Sequence, residues 1–459
     1  MFHAFSHISN PYACAKAPAG VSRHERLRRK LQLCACAMAL AAGALTLAAC
    51  GGDDGDNRPA PVEPAQPGRP GETLATTAII YVAGENGLAD FVDADSVEIA
   101  RGLASIPADA RVVMFIDDAR SSRICVGTRS EPMQTVRTFP RNITATDSAD
   151  MLGVMREIVG TYPAAHYGIT FWSHASGWVE HDAATRARRR SFGIDNGQRD
   201  RYSNDGPEMS INTLAAVLEQ LPHTDYLFFD ACFMQCVEVA YELRHVTDWL
   251  IASPAEIPGD GAPYDIILAD MCTPASVPTG IVQGYFDYYD TGKGNDVFPG
   301  VELSAIRTDK VEALAEATRP IVMHIWGGRR EAATKGDDEF SDYDDADADY
   351  GVQRYCFRDN SDYYTEYFDM GSLIAHNTDS ATYATWRKVC DEAVPIARLS
   401  PMWYTAISTP HFVNIDDVTH TVGVSMYAPE QRYDDGRQWN TAYHRCAWYS
   451  AAGLEQTGW

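Results

Sequence analysis

Short, uninterrupted apolar segments alternate with segments of helical apolar spacing along most of this chain, and this alternation limits the folds that it can adopt. The apolar segments are predicted strands, of which the first lies within 77–91 and the others are 111–117, 167–172, 226–230 and 248–253. The segments of helical spacing are 95–106, 148–162, 210–221 and 232–243. Strands that alternate with helices predict βαβ crossovers and a mainly parallel sheet covered on both faces.

Composition limits both the number of domains and the class of partner. The chain has 459 residues, of which 45% are hydrophobic, enough for one large domain or two ordinary ones. Its formal net charge of −25 at pH 7 would repel phosphate backbones. We therefore expect no nucleic-acid partner.

The N-terminal segment is typical of an exported protein. Basic residues at 23–30 precede an apolar run at 31–49, and Gly, Asp and Pro are frequent after it. The sequence "LAAC" at 47–50 resembles the lipobox of bacterial lipoproteins, which implies a diacylglycerol group on Cys50 and cleavage just before it. A transmembrane helix over the same apolar run is the alternative. The expected location is the bacterial cell envelope, with the chain lipid-anchored at the outer membrane or cell surface.

The cysteines of an exported protein can form disulfide pairs, but they define neither a pairing nor a zinc site. Cys14, Cys34 and Cys36 lie in the signal, and an odd number of cysteines follows Cys50. At least one thiol is therefore free, and no particular bridge is predicted. After Cys50, no CxxC or HxxxH spacing suggests zinc.

An acidic run at 337–350 has two interpretations. The first is a solvated loop, and the second is a calcium site, because hard cations take carboxylate oxygens. The spacing is not that of an EF-hand, since the glycine at 351 comes one place late and no Glu closes the loop. The sequence requires no cofactor and predicts no metal ligand, with Ca²⁺ as the one candidate ion.

Two chemically reactive side chains each follow an apolar strand. His174 comes after the strand 167–172, and Cys232 comes after the strand 226–230. Functional groups gather at the carboxyl ends of strands in open α/β sheets. If the two strands are neighbours, the imidazole and the thiol lie within a few ångströms of each other.

Such a pair suits nucleophilic catalysis. A nearby imidazole favours the thiolate, and so does a helix N-terminus, which is where the predicted helix 232–243 places Cys232. The backbone N–H of Cys232 would then point outward, where it could hold an oxyanion. Taken separately, each residue also has a purely structural explanation. Cys232 could be a small buried apolar residue, and His174 could be a polar residue with its hydrogen bonds satisfied. Cys236 is a rival nucleophile, predicted to lie one helical turn inward, in the core.

Four blocks of this sequence resemble the clostripain family of cysteine peptidases, within the caspase-like clan. They are "IIYVAGENGLADF" (79–91), "YPAAHYGITFWSHASGW" (162–178), "DYLFFDACFMQCVEVAYELR" (225–244) and "ASPAEIPGDGAPYD" (252–265). Their order and spacing also match, and "VGVSMYAP" (422–429) resembles a later family segment. The resemblance covers 77–270 well and the remainder more thinly. It implies a three-layer α/β/α sandwich with a mainly parallel sheet, similar to caspases and gingipains.

The resemblance also implies roles for individual residues. His174 matches the catalytic histidine, and Cys232 matches the nucleophile. Family members cleave after basic residues, and Asp230 matches the acid linked to that preference, since a carboxylate selects Arg or Lys by charge-assisted hydrogen bonds. A helix N-cap is the structural alternative for Asp230.

The family usually has "HGSGW" where this chain has "HASGW", with Ala175 in place of the glycine. The N–H of Ala175 is still available for the oxyanion hole, together with that of Cys232. A positive φ at this position would make the methyl group unfavourable by about 1 kcal/mol.

The loop "RARRRSFG" (186–193) lies between the histidine and the cysteine. It is either an exposed basic loop or, as in family members that cut themselves in this interval, a self-processing site. Arg188, Arg189 and Arg190 are then the candidate cleavage positions.

These observations predict four segments. Residues 1–49 are a lipoprotein signal peptide, 50–73 a flexible tether, 74–300 a clostripain-like peptidase core, and 301–459 a C-terminal part packed on that core. The predicted activity is a cysteine endopeptidase that acts on proteins or peptides after Arg or Lys. The alternative is a surface binding or adhesion module on a peptidase-like scaffold, without turnover.

Overall fold

A computed structural model of the chain describes residues 67–179, 191–195, 197, 204, 206–290, 300–327, 352–355, 367–406, 412–429 and 439–459. The signal peptide, Cys50, Arg188, Arg189, Arg190 and the acidic run 337–350 lie outside the described residues. None of the described helices is both long and apolar enough to cross a membrane.

The alternation predicted from the sequence is present, with additional strands. The strands are β1 (Leu74–Ala83), β2 (Ala110–Asp117), β3 (Ser122–Thr128), β4 (Gln134–Thr138), β5 (Ala164–Trp172), β6 (Thr224–Asp230), β7 (Thr247–Ala252), β8 (Glu302–Arg307), β9 (Tyr367–Asp369), β10 (Ile396–Leu399), β11 (Met402–Tyr404), β12 (Phe412–Asn414) and β13 (Ser425–Tyr427). The α-helices are α1 (Val92–Gly102), α2 (Ser148–Thr161), α3 (Ile211–Leu218), α4 (Val237–Glu242), α5 (Tyr264–Met271), α6 (Thr279–Asp290), α7 (Val311–Trp326), α8 (Met370–Asn377), α9 (Ser380–Ala393), α10 (Trp439–Tyr443) and α11 (Ala447–Ala451).

Nine of the described strands form the central sheet, in the order β10-β8-β7-β6-β5-β1-β2-β3-β4. The five central strands, from β7 to β2, are parallel to one another. The strands outside them pair antiparallel. The predicted mainly parallel sheet is therefore confirmed at its centre.

Side chains alternate between the two faces of the sheet, and each face has its own core. In β1, Ile79 and Tyr81 belong to one apolar cluster, whereas Ile80 and Val82 belong to the other. Successive residues of a strand point to opposite faces, so burial of both sets requires a layer on each side. This is the three-layer α/β/α arrangement.

Two predicted segment boundaries differ from the structure. The chain beyond 300 contributes to the central sheet itself, because β8 and β10 extend it. The predicted tether through residue 73 ends earlier. Arg111 is fully buried, and its guanidinium donates to Gly68 O (2.7 Å) and to Pro163 O (2.9 Å). A buried guanidinium needs acceptors, and Gly68 in the predicted tether supplies one of them.

The N-cap of α2 is Asp147, one residue before the helix begins. Its carboxylate accepts hydrogen bonds from the N–H groups of Ala149 and Asp150. The N-cap of α3 is Ser210, whose hydroxyl accepts a hydrogen bond from Thr213 N.

Candidate active site

The strands that precede His174 and Cys232 are neighbours. β5 and β6 pair in parallel, and Trp172 lies opposite Asp230 at the end of the ladder. His174 and Cys232 each follow that pair by two residues, so they leave the same edge of the sheet on adjacent strands. Adjacent strands lie about 4.8 Å apart, which brings the two side chains within reach of each other.

The segment after β5 is held by backbone and side-chain hydrogen bonds. The hydroxyl of Ser173 donates to Ala83 O (2.8 Å), at the end of the neighbouring strand β1. His174 O accepts a hydrogen bond from Gly193 N (2.9 Å), and Ser176 N donates to Ser191 O (3.1 Å). The backbone at the histidine is therefore fixed on both sides.

Ala175 does not adopt the positive φ that would make its methyl group unfavourable. Among the described non-glycine residues, only Arg69 and Phe233 have a positive φ. Ala175 is buried and lies opposite Phe192 in an isolated antiparallel bridge. The two hydrogen bonds of that bridge use His174 O and Ser176 N, so the Ala175 N–H lies outside it.

The left-handed conformation in this segment falls on Gly177, whose φ is +73°. A Cβ atom there would lie 2.3 Å from the Tyr367 hydroxyl, which donates a buried hydrogen bond to Ser176 O (2.7 Å). We expect Gly177→Ala to lower the free energy of unfolding by more than about 1 kcal/mol, through backbone strain and loss of that bond. Chemical denaturation measures the change.

Gly153 provides the matched control for this substitution. It lies inside α2, and a Cβ atom there would meet no atom within 4 Å. Gly153→Ala should therefore stabilise the protein by about 0.5–1 kcal/mol. Equal effects of the two substitutions would contradict the assigned role of Gly177.

Cys232 lies in a turn and not at the start of a helix, which corrects the sequence prediction. The helix predicted to begin at Cys232 begins at Val237, with Cys236 as its N-cap residue. Phe233 has φ +62°, a conformation that is unfavourable for a bulky residue. Its N–H donates to Ala255 O (3.0 Å), and its ring stacks on Tyr367 at 5.9 Å. The strained turn changes the chain direction immediately after the thiol, and Cys232 is not the first residue of α4.

The thiol of Cys232 is half-buried beside the loop that follows β7. Ile257 N donates to its Sγ at 3.5 Å. Tyr404, at the end of β11, lies near both Cys232 and Glu256, and its pKa is raised to about 12, mainly by burial. Glu256 anchors the chain after Tyr404 by accepting hydrogen bonds from the Thr405 hydroxyl (2.7 Å) and Ala406 N (2.8 Å). Sequence reasoning missed this contribution from the C-terminal part, since no local signal marks it.

Cys236 is a core residue, as predicted, but for a different structural reason. It is fully buried, and burial raises the pKa of its thiol well above the usual value. It lies at the N-cap position of α4, beyond the turn, and not one helical turn from Cys232. A buried thiol of raised pKa is a poor nucleophile.

Asp230 is not a helix cap, so that alternative is wrong. Its Oδ2 accepts hydrogen bonds from Ala262 N (3.0 Å) and from the Tyr264 hydroxyl (2.8 Å). Burial raises its pKa to about 6, although both bonds favour the ionised form. Its Oδ1 is buried and accepts no hydrogen bond from the described residues.

Two further carboxylates lie near Asp230, and sequence reasoning missed both. Asp95 of α1 accepts a hydrogen bond from the Trp172 indole (2.8 Å), and burial together with Asp230 raises its pKa. Asp260, on the loop before α5, is half-buried and also raises the pKa of Asp95. The region at the C-terminal end of β6 therefore contains three carboxyl groups, those of Asp95, Asp230 and Asp260.

Among the described residues, two groups of side chains could hold a metal ion, and neither contains His174 or Cys232. One is Glu85, Asp117 and Asp195, all fully buried. Burial and Asp195 raise the pKa of Asp117 to about 9. The other group is His376, Asp417 and His420.

An imidazole and a thiol at one sheet edge, with backbone N–H groups beside them, can carry out nucleophilic acyl transfer. The imidazole takes or holds the thiol proton, and the N–H groups can stabilise an oxyanion.

Comparison with known proteins supports this chemistry. A family model described as the clostripain family matches residues 80–457. A secreted C11 cysteine protease from Bacteroides thetaiotaomicron, solved with an irreversible peptide inhibitor, is 25% identical, with a TM-score of 0.67 over 83% of this chain and 99% of that one. An inactive zymogen C11 protease from Parabacteroides distasonis is 23% identical, with a TM-score of 0.66 over the same shares, which shows the fold. No curated protein matches the chain.

Proposed function

This chain belongs to the clostripain family and is a cysteine peptidase, and on that premise we propose that it cleaves proteins or peptides after Arg or Lys, with Cys232 as nucleophile and His174 as its base. The observation that carries the proposal is the register of β5 and β6. Trp172 pairs with Asp230, and each proposed catalytic residue follows its strand by two positions.

The reaction would proceed in two steps. His174 withdraws the proton of Cys232, or holds it as an ion pair, and the sulfur attacks the scissile carbonyl carbon. The N–H groups of Cys232 and Ala175 stabilise the oxyanion. His174 then protonates the leaving amine, and water, deprotonated by His174, releases the acyl group from sulfur.

Asp230 supports the preference for a basic residue before the cleaved bond. One of its carboxylate oxygens is already held by Ala262 and Tyr264, which orients the group. The other, Oδ1, is buried with no donor among the described residues. A guanidinium or ammonium group would supply that donor, and the nearby Asp95 and Asp260 add negative charge.

A panel of peptide amides with a reporter leaving group tests the proposal. We expect reporter release after Arg and Lys, little release after Leu, Gln or Asp, and loss of release after thiol alkylation. A binding module would release no reporter in any tube. Release that alkylation does not reduce would exclude Cys232 as nucleophile.

Self-processing follows from the same specificity. Arg188, Arg189 and Arg190 lie outside the described residues, but the chain resumes at Ser191, and Phe192 pairs with Ala175 beside His174. The residues that directly follow the three arginines are thus held beside the proposed catalytic histidine. We expect the mature wild-type protein to run as two fragments in a denaturing gel and Cys232→Ala as one. Two fragments from both forms would instead indicate another protease.

We also propose export and lipid attachment at Cys50, on the strength of the basic, apolar and "LAAC" segments. We expect the wild-type protein in the membrane fraction of a bacterial host and Cys50→Ala in the soluble exported fraction. The lipid chains would anchor the first form through buried CH₂ groups, worth about 0.8 kcal/mol each. Membrane retention of Cys50→Ala would favour the transmembrane-helix alternative.

A further inference from the structure

Two imidazoles converge on one carboxylate at the C-terminal end of α8, away from His174 and Cys232 in the sequence. His376 Nδ1 lies 3.6 Å from Asp417 Oδ2, and His420 Nδ1 lies 3.0 Å from the same oxygen. The two rings are 5.8 Å apart and nearly perpendicular. The three side chains offer ligand atoms that all lie within 4.8 Å of one another.

These separations suit a tetrahedral transition-metal ion. Zinc binds imidazole nitrogen and carboxylate oxygen at about 2.0–2.2 Å, which gives about 3.3–3.5 Å between neighbouring ligand atoms. The observed distances of 3.0 and 3.6 Å lie on either side of that value. We propose that His376, Asp417 and His420 form a binding site for a divalent cation of the zinc class, with water in the fourth position.

The carboxylate is already oriented by other groups. Asp417 is 8% exposed, and its Oδ2 accepts a hydrogen bond from the Ser372 hydroxyl (2.8 Å). Its Oδ1 accepts hydrogen bonds from Thr419 N and His420 N, both at 3.2 Å. Such outer contacts fix the direction of a ligand and are typical of metal sites.

Binding of the cation would change one hydrogen bond of His376. His376 Nδ1 also lies 2.9 Å from Ser372 O, and in the metal-free protein it donates its proton there. A nitrogen that binds a metal carries no proton, so the cation replaces this proton and releases it to solvent. His376 is exposed and His420 half-buried, so solvent ions reach both rings.

Ordinary surface pairs of histidine and aspartate have a different arrangement. His166 lies beside Asp225, and His223 lies beside Asp248, with one imidazole on each carboxylate. The cluster of His376, Asp417 and His420 differs because a second imidazole approaches the same carboxylate oxygen. Zinc and related ions prefer such nitrogen ligands, whereas calcium prefers oxygen.

Binding of the ion would stabilise the contact between α8 and the segment 422–425. That segment in turn contacts the turn that follows Cys232. Val422 N and Gly423 N both donate to Asp369, the N-cap residue of α8. Ser425 N then donates to Gln235 O (2.9 Å), three residues after Cys232. The proposed ion is therefore structural, and we expect it to raise the unfolding temperature by mass action.

The test uses the mature chain in a Cys232→Ala background, because a free catalytic thiol would itself bind zinc and self-cleavage would confuse the result. We expect one equivalent of Zn²⁺ in a calorimetric titration, and Co²⁺ should give the visible absorption bands of a tetrahedral site. We expect a higher unfolding temperature with Zn²⁺. His376→Gln and His420→Gln should each weaken binding by more than about tenfold and remove the thermal shift.

His223→Gln is the matched control, since it removes an exposed imidazole that pairs with a single carboxylate. It should bind Zn²⁺ with the parental affinity. Circular dichroism establishes that every variant is folded. Absence of binding by the parent, or undiminished affinity in His376→Gln and His420→Gln, would overturn the proposal.

Discussion

Cys232→Ala is expected to lower peptidase activity by at least about 10⁴-fold, because removal of the attacking group of a nucleophilic mechanism leaves only binding and oxyanion stabilisation. The substitution removes one sulfur atom from a half-buried turn, and the Ile257 N–H, which donates to it at 3.5 Å, loses only a weak acceptor. The folded state should therefore persist. Initial rates on an Arg–reporter amide measure the effect.

His174→Ala should produce a loss of similar order, since the two groups act as a unit and their effects are not additive. Cys236→Ala is the matched control. Its thiol is fully buried, so the substitution should affect stability and leave the rate per folded molecule unchanged. A Cys232→Ala protein that keeps its activity, or a folded Cys236→Ala protein that loses it, would exclude the proposed nucleophile.

Asp230→Asn is expected to lower kcat/KM on an Arg substrate by about 10²–10³-fold, because it leaves a buried guanidinium without its counter-charge. The amide keeps the shape of the side chain, and its oxygen can still accept the hydrogen bonds of Ala262 and Tyr264. Activity on a substrate with a neutral residue at the same position should change little. The measurement is the ratio of kcat/KM for the two substrates.

The pH dependence gives an independent readout of the same carboxylate. The pKa of Asp230 is raised to about 6, so its ionised form is lost as the pH falls through that value. We expect kcat/KM on the Arg substrate to decrease as the pH is lowered through about 6. The part of this decrease that is due to Asp230 should be absent with a neutral substrate and in Asp230→Asn. Any group whose protonation state affects the chemical step would change kcat/KM for both substrates, and the comparison separates it from Asp230.

Asp225→Asn serves as the control for loss of a negative charge, since Asp225 lies at the other end of the same strand, beside the exposed His166. It should leave the preference for Arg intact. Equal kcat/KM ratios for Asp230→Asn and the wild type would show that Asp230 only holds the loop at 261–264.

Local sequence pattern was sufficient for the central strands of the fold. Continuous apolar runs identified β2, β5, β6 and β7 to within a few residues, because strands buried on both faces must be apolar at every position. The antiparallel strands near the sheet edges were missed. β4, for example, is fully exposed, so it has no apolar run to identify it.

The sequence by itself determined the sheet, its helical layers and the placement of His174 and Cys232 after two strands, because apolar periodicity is a local property. Only the tertiary structure decided that Cys232 lies in a strained turn, that Asp230 binds the loop before α5, and that Tyr404 lies near the thiol. It also decided that His376 meets Asp417 and His420. Each of these depends on contacts between residues distant in the chain, or on a turn that those contacts hold, and no short sequence window contains both partners.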